Sequence, residues 1–382
     1  MFEVKIDHDF TAPRESFEEV MRLIQEHYYT DELDEKSLWW GAIEGVLRHI
    51  SPDENKSLAA IWLPAEYEKI NQTLHGVQES IGIKSSFSPG DGSLTVTEIM
   101  EGGPSESLLQ PYDRIVRIDD MALKGMKVKE VDALLKGEAG TRINLKVIRD
   151  VAIFDLLIRR DKVKVHNVRV QAFPDDIVYI SIAKFSEGVS AELAEELTKQ
   201  AEADCKGLIL DLRDNSGGVF TEGLKAVELF VPKGQSLMRM VSHGSKVNNY
   251  VSANETPTEL DIVVLVNGSS ASASEILAAA LRDECAAVLI GEETYGKATM
   301  EKIFTLANEY RVKFTYAALY SPKGKSWQKT GLVPDFIVPE DKGILAKTRK
   351  LSPKVRMLND NQLRAAFNLL TARIKGASGE AE

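Results

Sequence analysis

The chain has 382 residues, which at roughly 100–200 residues per domain implies two to three domains. Hydrophobic residues make up 43% and charged residues 27%, proportions that exclude wholesale disorder. Asp and Glu number 58 against 47 Lys and Arg, a formal charge of -11, so a nucleic-acid partner is disfavoured.

The opening MFEVKIDHDF lacks a basic start followed by an apolar stretch, so no signal peptide is visible. No apolar run approaches the ~18 residues of a membrane span. Phe17, Val20, Met21, Ile24 and Tyr28 recur at helical spacing, as do Ile43, Val46, Leu47 and Ile50, and predict two helices. Trp39 and Trp40 are adjacent and cannot share one helix face. Ordinary helical packing is the leading reading, and a ring facing another domain or subunit is the alternative. SPDENK (Ser51 to Lys56) is a polar break, and a polar helix follows over 64–73.

From 76 to 160 short β-type runs take over: SIGIKSSF, SLTVTEIM, DRIVRIDD, RINLKVIR and VAIFDLLIRR, punctuated by Gly and Pro. One helix is expected over Val128 to Leu135, so this part reads as a small, mostly β module. From 176 to 340 strands and helices alternate. DIVYISIAKF, GLILDL, DIVVLV and AAVLIG are strands. AELAEELTKQAEA, with Ser190 as its expected N-cap, TEGLKAVELFV and SEILAAALRDE are helices. The order predicts a mostly parallel sheet covered by helices, with sites in loops beyond the carboxyl ends of its strands. KIFTL and EYRVKFTYAALY read as strands joined by a turn at Ala307 to Glu309, and the tail KGASGEAE as disordered. The fold class is therefore multi-domain α/β and α+β.

Two strand-to-helix loops stand out. DLRDNSGG, from Asp211 to Gly218, ends in two glycines that bend the backbone and bare its N–H groups, or simply connect a strand to a helix. NGSSASASEI has Ser272 and Ser274 at the start of a helix. They are either helix caps or hold a nucleophile where the helix N-terminus stabilises an oxyanion. A serine nucleophile needs a base. Neither loop holds a histidine, there is no G-x-S-x-G elbow, and His166 and His243 sit in polar stretches. Lys297, in GEETYGKATME after the strand AAVLIG, is the remaining candidate, and Ser–Lys pairs are a known variant of the triad. Such a lysine must be neutral to accept a proton, which an apolar pocket favours. Otherwise it is a surface residue. The two cysteines, Cys205 and Cys285, form no CxxC pair and are too few for a disulfide framework.

The combination resembles the C-terminal processing peptidases, also called tail-specific proteases: PDZ-containing serine proteases with a Ser–Lys dyad. GLILDLRDNSGG, VNGSSASASEILAAALRD, GEETYGKATME and YSPKGKSWQKTGLVPDFIV occur in the family's order, and Ser272 and Lys297 stand 25 residues apart, as its dyad does. The resemblance implies a helical segment over 1–75 that can serve dimerisation and a PDZ-like module over 76–160. It further implies a crotonase-like protease core over 161–345, and a C-terminal helix with its tail over 346–382, NDNQLRAAFNLL among it. It makes Ser272 the nucleophile and Lys297 the general base. It puts the oxyanion hole on the N–H groups of Ala273 and Gly218, with Gly217 the close alternative, and Ser274 becomes a cap. The implied reaction is acyl transfer through an acyl-enzyme, without metal or cofactor.

Two departures surround the lysine. The family's Gln four residues on is Glu301 here, and its following Gly is Ala298. A carboxylate beside the lysine favours the ammonium form, so Glu301→Gln is expected to move the alkaline requirement of activity to lower pH. In the PDZ-like region SIGI (Ser80, Ile81, Gly82 and Ile83) resembles the carboxylate-binding loop, whose successive N–H groups hold a terminal carboxylate beside an open strand edge. Taken alone those four residues read equally as an ordinary strand. GGPSESLLQPYDRIVRIDD is one residue shorter than the family pattern, with Leu and Tyr in place of two glycines. Arg114 in it is a peptide sensor or a solvated strand residue. The expected partners are protein substrates with apolar C-termini, with self-association, and a substrate-delivering adaptor is compatible with them. The resemblance implies the periplasm or cell envelope. A catalytically inactive PDZ scaffold on a protease core is the rival reading.

Overall fold

The structure is a computed structural model that describes residues 11–30, 34–51, 58–74, 76–100, 102–340 and 353–378. The first ten residues and most of SPDENK lie outside the described residues. The chain forms two compact units, Met1–Pro64 with Glu301–Thr315, and Ala65–Met300 with Tyr316–Glu382.

In the first unit the helices Thr11–His27 and Glu35–Ile50 form as their spacing predicts. Asp34 caps the second, its carboxylate accepting from the Lys36 N–H at 3.1 Å. Trp39 meets Phe17 edge-on at 5.9 Å and Trp40 meets Tyr310 at 5.8 Å. Both rings thus pack inside their own unit, in line with the ordinary reading. Ala60–Trp62 pairs antiparallel with Arg311–Lys313. Met21 and Leu47 are buried, whereas Val20, Val46 and Ile50 of the same apolar stripes stay more than half exposed, at 52%, 66% and 53%.

The second unit begins its β module with an antiparallel sheet in the order Ile83–Ser88, Ser93–Ile99, Arg114–Ile118, Arg142–Arg149, Ala152–Arg159. The helix Val128–Leu135 lays Val131 and Leu135 onto a core that includes Leu94, Ile115, Ile118 and Leu145. Arg114 is an exposed strand residue paired with Asp91 at 2.9 Å. A two-stranded ribbon, Val77–Ser80 with Asp161–Lys164, carries the chain into and out of the module.

The core of this unit is a six-stranded sheet in the order Val168–Phe173, Ile177–Ile182, Gly207–Asp211, Asp261–Val266, Val288–Gly291, Phe336–Ile337. The first pair is antiparallel and the rest are parallel. Leu208 and Leu210 point to one face and Ile209 to the other, the period-2 alternation of a strand buried on both sides. That is why GLILDL and DIVVLV read as unbroken apolar runs. The helices Val189–Glu202, Phe220–Glu228 and Ala273–Glu284 cover the first face. The C-terminal helix Asn361–Ser378 covers the second with Leu363, Ala366 and Leu370.

Two expectations about these elements need correction, and one hairpin is an addition to them. Ser190 is not an N-cap, because the helix begins one residue earlier behind Gly188, whose φ of 86° suits glycine. Ser190 instead gives its N–H and hydroxyl to the buried carboxylate of Glu222, at 3.0 and 2.7 Å. The last helix runs to Ser378, so KGASGEAE starts inside it. The hairpin Ser236–Ser242 with Lys246–Val251, on which Ala317–Tyr320 also pairs, was not anticipated, since KVNNYV has little apolar pattern.

Candidate active site

The two prominent loops follow Gly207–Asp211 and Asp261–Val266, neighbours in parallel register, so they emerge side by side. They are fastened by side chains. The buried Ser270 hydroxyl donates to the Leu212 carbonyl at 2.8 Å, and the buried Ser274 hydroxyl to the Asn215 carbonyl at 2.8 Å. Asn267 Oδ1 accepts from the Asp214 N–H at 3.0 Å. Of the loop's serines, Ser272 occupies the N-cap of Ala273–Glu284 and is half-buried. Ser274 is therefore a strut between the loops and not the helix cap.

Ser272 has φ 56° and ψ −113°, a region costing about 1–3 kcal/mol for a residue with a side chain. Such strain needs room opposite, and Gly217 supplies it. A Cβ there would sit 2.7 Å from the Ala271 carbonyl oxygen and 2.9 Å from Ser272 Cβ. The Gly217 N–H donates to Asn215 Oδ1 at 2.9 Å. The N–H groups of Gly218 and Ala273 carry no hydrogen bond among the described residues. Gly218 is pinned to the Phe185 backbone, where a Cβ would lie 2.1 Å from the carbonyl oxygen.

Lys297 lies in the loop after Val288–Gly291, half-buried. Glu275, on the first turn of the Ser272 helix and 0% exposed, joins that loop to the serine. One carboxylate oxygen accepts from the Ser272 N–H at 2.8 Å and the Lys297 N–H at 2.9 Å. The other accepts from the Thr294 hydroxyl at 2.6 Å and the Gly296 N–H at 2.7 Å. Burial pushes the Glu275 carboxyl up, although the four donors pull the other way. Behind the lysine, the Ala298 N–H donates to Gln328 Oε1 at 2.6 Å and the Lys329 N–H to the Gly296 carbonyl at 2.8 Å. Gln328 and Lys329 belong to YSPKGKSWQKTGLVPDFIV, so that segment cradles the lysine loop.

Glu275, Thr294, Asn215 and Gln328 were missed by sequence reasoning. Ser272-x-x-Glu275 has capping-box spacing, the one signal that pointed to Glu275. Glu301 lies on the strand Thr299–Thr305 and belongs to the first unit. His166 is 55% exposed beside Glu192 and His243 sits in an exposed turn. Burial raises both thiols, Cys285 to about 11, so neither cysteine is an activated nucleophile.

In the β module SIGI is not a continuous strand. Ser80 ends one strand, Ile83 begins the next, and Gly82 turns between them at φ 72°. A Cβ on Gly82 would meet Gly103 Cα at 3.0 Å. The Gly82 N–H donates to the Ser80 hydroxyl at 3.2 Å. A groove of about 250 Å³ adjoins the turn, lined by Ile81, Ile83, Lys84, Asp132 and Leu135 among others.

The description "Peptidase family S41" matches residues 176–338, and "PDZ domain" matches 95–149. The carboxy-terminal processing protease CtpA of Bacillus subtilis is 30% identical over 313 residues, 81% of this chain and 66% of that protein. The chain thus spans just under two thirds of that relative's length. A carboxyl-terminal-processing protease of Synechocystis is 28% identical over 361 residues, 92% of this chain and 81% of that protein. A solved structure described as an S41 protease of Bacteroides fragilis has the same fold, with a TM-score of 0.54 at 17% identity, covering 84% of this chain and 91% of its own.

Proposed function

We propose that the chain is a member of peptidase family S41, a PDZ-containing serine protease of the carboxyl-terminal processing type, with Ser272 its nucleophile and Lys297 its general base. Ser272 Oγ attacks a peptide carbonyl while Lys297 takes the hydroxyl proton. The carbonyl oxygen becomes an oxyanion facing the N–H groups of Gly218 and Ala273 at the helix N-terminus. Lys297 returns the proton to the leaving amine, and water then releases the acyl group. The observation that carries this reading is the single buried carboxylate of Glu275, held by the backbones of both Ser272 and Lys297. The commitment of the Gly217 N–H to Asn215 supports Gly218 as the donor.

The PDZ domain selects the substrate in this reading. The turn of Ser80, Ile81, Gly82 and Ile83 meets the terminal carboxylate with backbone N–H groups and not with the Ser80 hydroxyl, and the apolar side chains of Ile81, Ile83 and Leu135 take an apolar last residue. The domains are divided as 1–75, 76–160, 161–345 and 346–382. The exposed apolar residues of the first two helices support self-association of the chain, and an adaptor that delivers substrates is compatible with the site. We place the protein in the cell envelope. Among the described residues no helix is long and apolar enough to cross a membrane.

The test is incubation with an unstructured protein bearing an apolar tail, with products read by mass spectrometry. Cleavage by the unaltered protein, lost in Ser272→Ala and Lys297→Ala, is expected. Cleavage surviving Ser272→Ala would remove the assignment, and tail binding without cleavage would favour the scaffold.

A further inference from the structure

Arg213 follows the strand Gly207–Asp211 and opens the turn that carries Asn215, Gly217 and Gly218. Its side chain is wholly buried. It holds Asp211 through Nε and Nη2 at 2.9 and 2.7 Å. On its other side Nη1 and Nη2 reach Asp360 at 3.0 and 2.8 Å, and Nη1 also reaches Gln362 Oε1 at 2.8 Å. Asp360 caps the C-terminal helix, its Oδ1 accepting the Leu363 N–H at 3.0 Å. Gln362 gives its amide to the Val338 carbonyl at 2.7 Å. Tyr179 donates to Asp211 at 2.7 Å, and Arg356 of the helix Pro353–Asn359 lies over that ring at 4.1 Å. Two carboxylates and two guanidiniums thus balance in charge inside the core.

A buried ion pair is a costly way to gain stability, and apolar packing of the same volume often does as well. What this cluster adds is direction. Arg213 has a rigid fork, and it is gripped by Asp211 and by the C-terminal helix start at once. The next residues are tied equally closely. Asp214, at φ 60°, is held by Asn267, and Asn215 by the Ile182 carbonyl at 2.8 Å. We propose that Asp360 and Gln362 are positioning residues for peptide cleavage: through Arg213 they fix the turn whose Gly218 N–H meets the oxyanion, so the C-terminal helix is a working part of the site. This rests on the assignment of Ser272 and Gly218 above.

The test compares the full chain with Asp360→Asn and Gln362→Ala, after thermal unfolding confirms folded protein. Three quantities are read: kcat and KM on a tail-bearing peptide, affinity for a peptidyl boronate, and amide hydrogen exchange. The boronate's tetrahedral adduct with Ser272 places an oxygen in the oxyanion position. In folded Asp360→Asn, kcat and boronate affinity should fall together by about 10–100-fold, with KM within about twofold. Exchange should quicken at Asn215–Val219 and not in the PDZ domain. Gln362→Ala should give the same pattern at smaller size, and it carries the test if Asp360→Asn does not fold. Asp360→Glu should recover part of kcat, which a general loss of packing would not allow. Unchanged kcat, or KM and kcat moving with tail binding alone, would overturn the proposal. If the unaltered protein neither cleaves nor binds the boronate, the assignment of Ser272 fails. The exchange measurement then still decides whether the helix fixes the turn, and unchanged exchange at Asn215–Val219 refutes it.

Discussion

The two proposed binding sites of this molecule are built in opposite ways. In the core, three loops from three strands are locked by buried side chains: Glu275, Asn215, Asn267 and Gln328 each take or give backbone hydrogen bonds across chain segments, and the Arg213 guanidinium reaches the Asp360 carboxylate. In the PDZ domain the SIGI turn is held by backbone bonds to neighbouring strands, among them the Met100 N–H to the Gly82 carbonyl at 2.9 Å, and by one side-chain hydroxyl, that of Ser80. A site that must stabilise a transient charge needs donors fixed in advance. A site that reads varied tails works through backbone groups that any tail can meet. The titrations differ in sign as well. Burial raises the Glu275 carboxyl, so its contribution to folding is present at low pH and fades as pH rises through that raised value. In the PDZ domain burial also opposes ionisation of Asp113, but hydrogen bonds from Arg149 and the Gln110 N–H outweigh it and hold the carboxyl low. That contribution is full above the unfolded value near 3.9 and is lost as pH falls through the folded one.

Four substitutions press on this contrast. Glu275→Gln turns an amide NH₂ toward donors that need an acceptor, and each N–H left unpaired costs about 1–3 kcal/mol. A drop in kcat on the order of 10–100-fold is expected, with tail affinity unchanged by calorimetry. Equal loss of both would mean the core and PDZ loops are not separately built. Asp113→Asn breaks the bidentate pair with Arg149, whose bonds to Asp113 are both 2.7 Å. Denaturant unfolding should show the PDZ domain weakened by about 2–3 kcal/mol at pH 7, and the difference from the unaltered protein should shrink below pH 4. Ser80→Ala frees the Gly82 N–H for the tail carboxylate, so tail binding should tighten by about 0.5–1.5 kcal/mol. Weaker binding would show that the hydroxyl shapes the turn, as side chains do in the core. Smallest is Tyr112→Gly. Tyr112 is 84% exposed at φ 76°, and relief of that backbone should raise PDZ stability by about 1 kcal/mol, measured by thermal unfolding.

Much of this was readable in the residues. Unbroken apolar runs marked the strands buried on both faces, and the small-residue loops after them are the ones the sheet brings side by side. Tyr112 in place of a glycine was visible as a departure, and the structure shows its consequence as a positive φ. What escaped was fastening at long range. Arg213 and Asp360 are 147 positions apart, and no local pattern links an arginine after one strand to the start of a final helix. Glu275 has only the spacing of half a capping box to mark it, and its bonds to Thr294, Gly296 and Lys297 depend on a loop that only the sheet brings near. Ser190 was misread because helix propensity favours serine caps, whereas a buried carboxylate on a neighbouring helix claimed it.

The central claim is that Ser272 is made nucleophilic by Lys297 in a site spanned by Glu275. Intact-protein mass spectrometry after exposure to a fluorophosphonate reads this without a natural substrate. The unaltered protein should gain one adduct, mapped to Ser272 by peptide digestion. Lys297→Ala should gain none on the same timescale, and Glu275→Gln should label at least about tenfold more slowly. An adduct on another residue, or labelling of Ser272 at full rate in Lys297→Ala, would contradict the account.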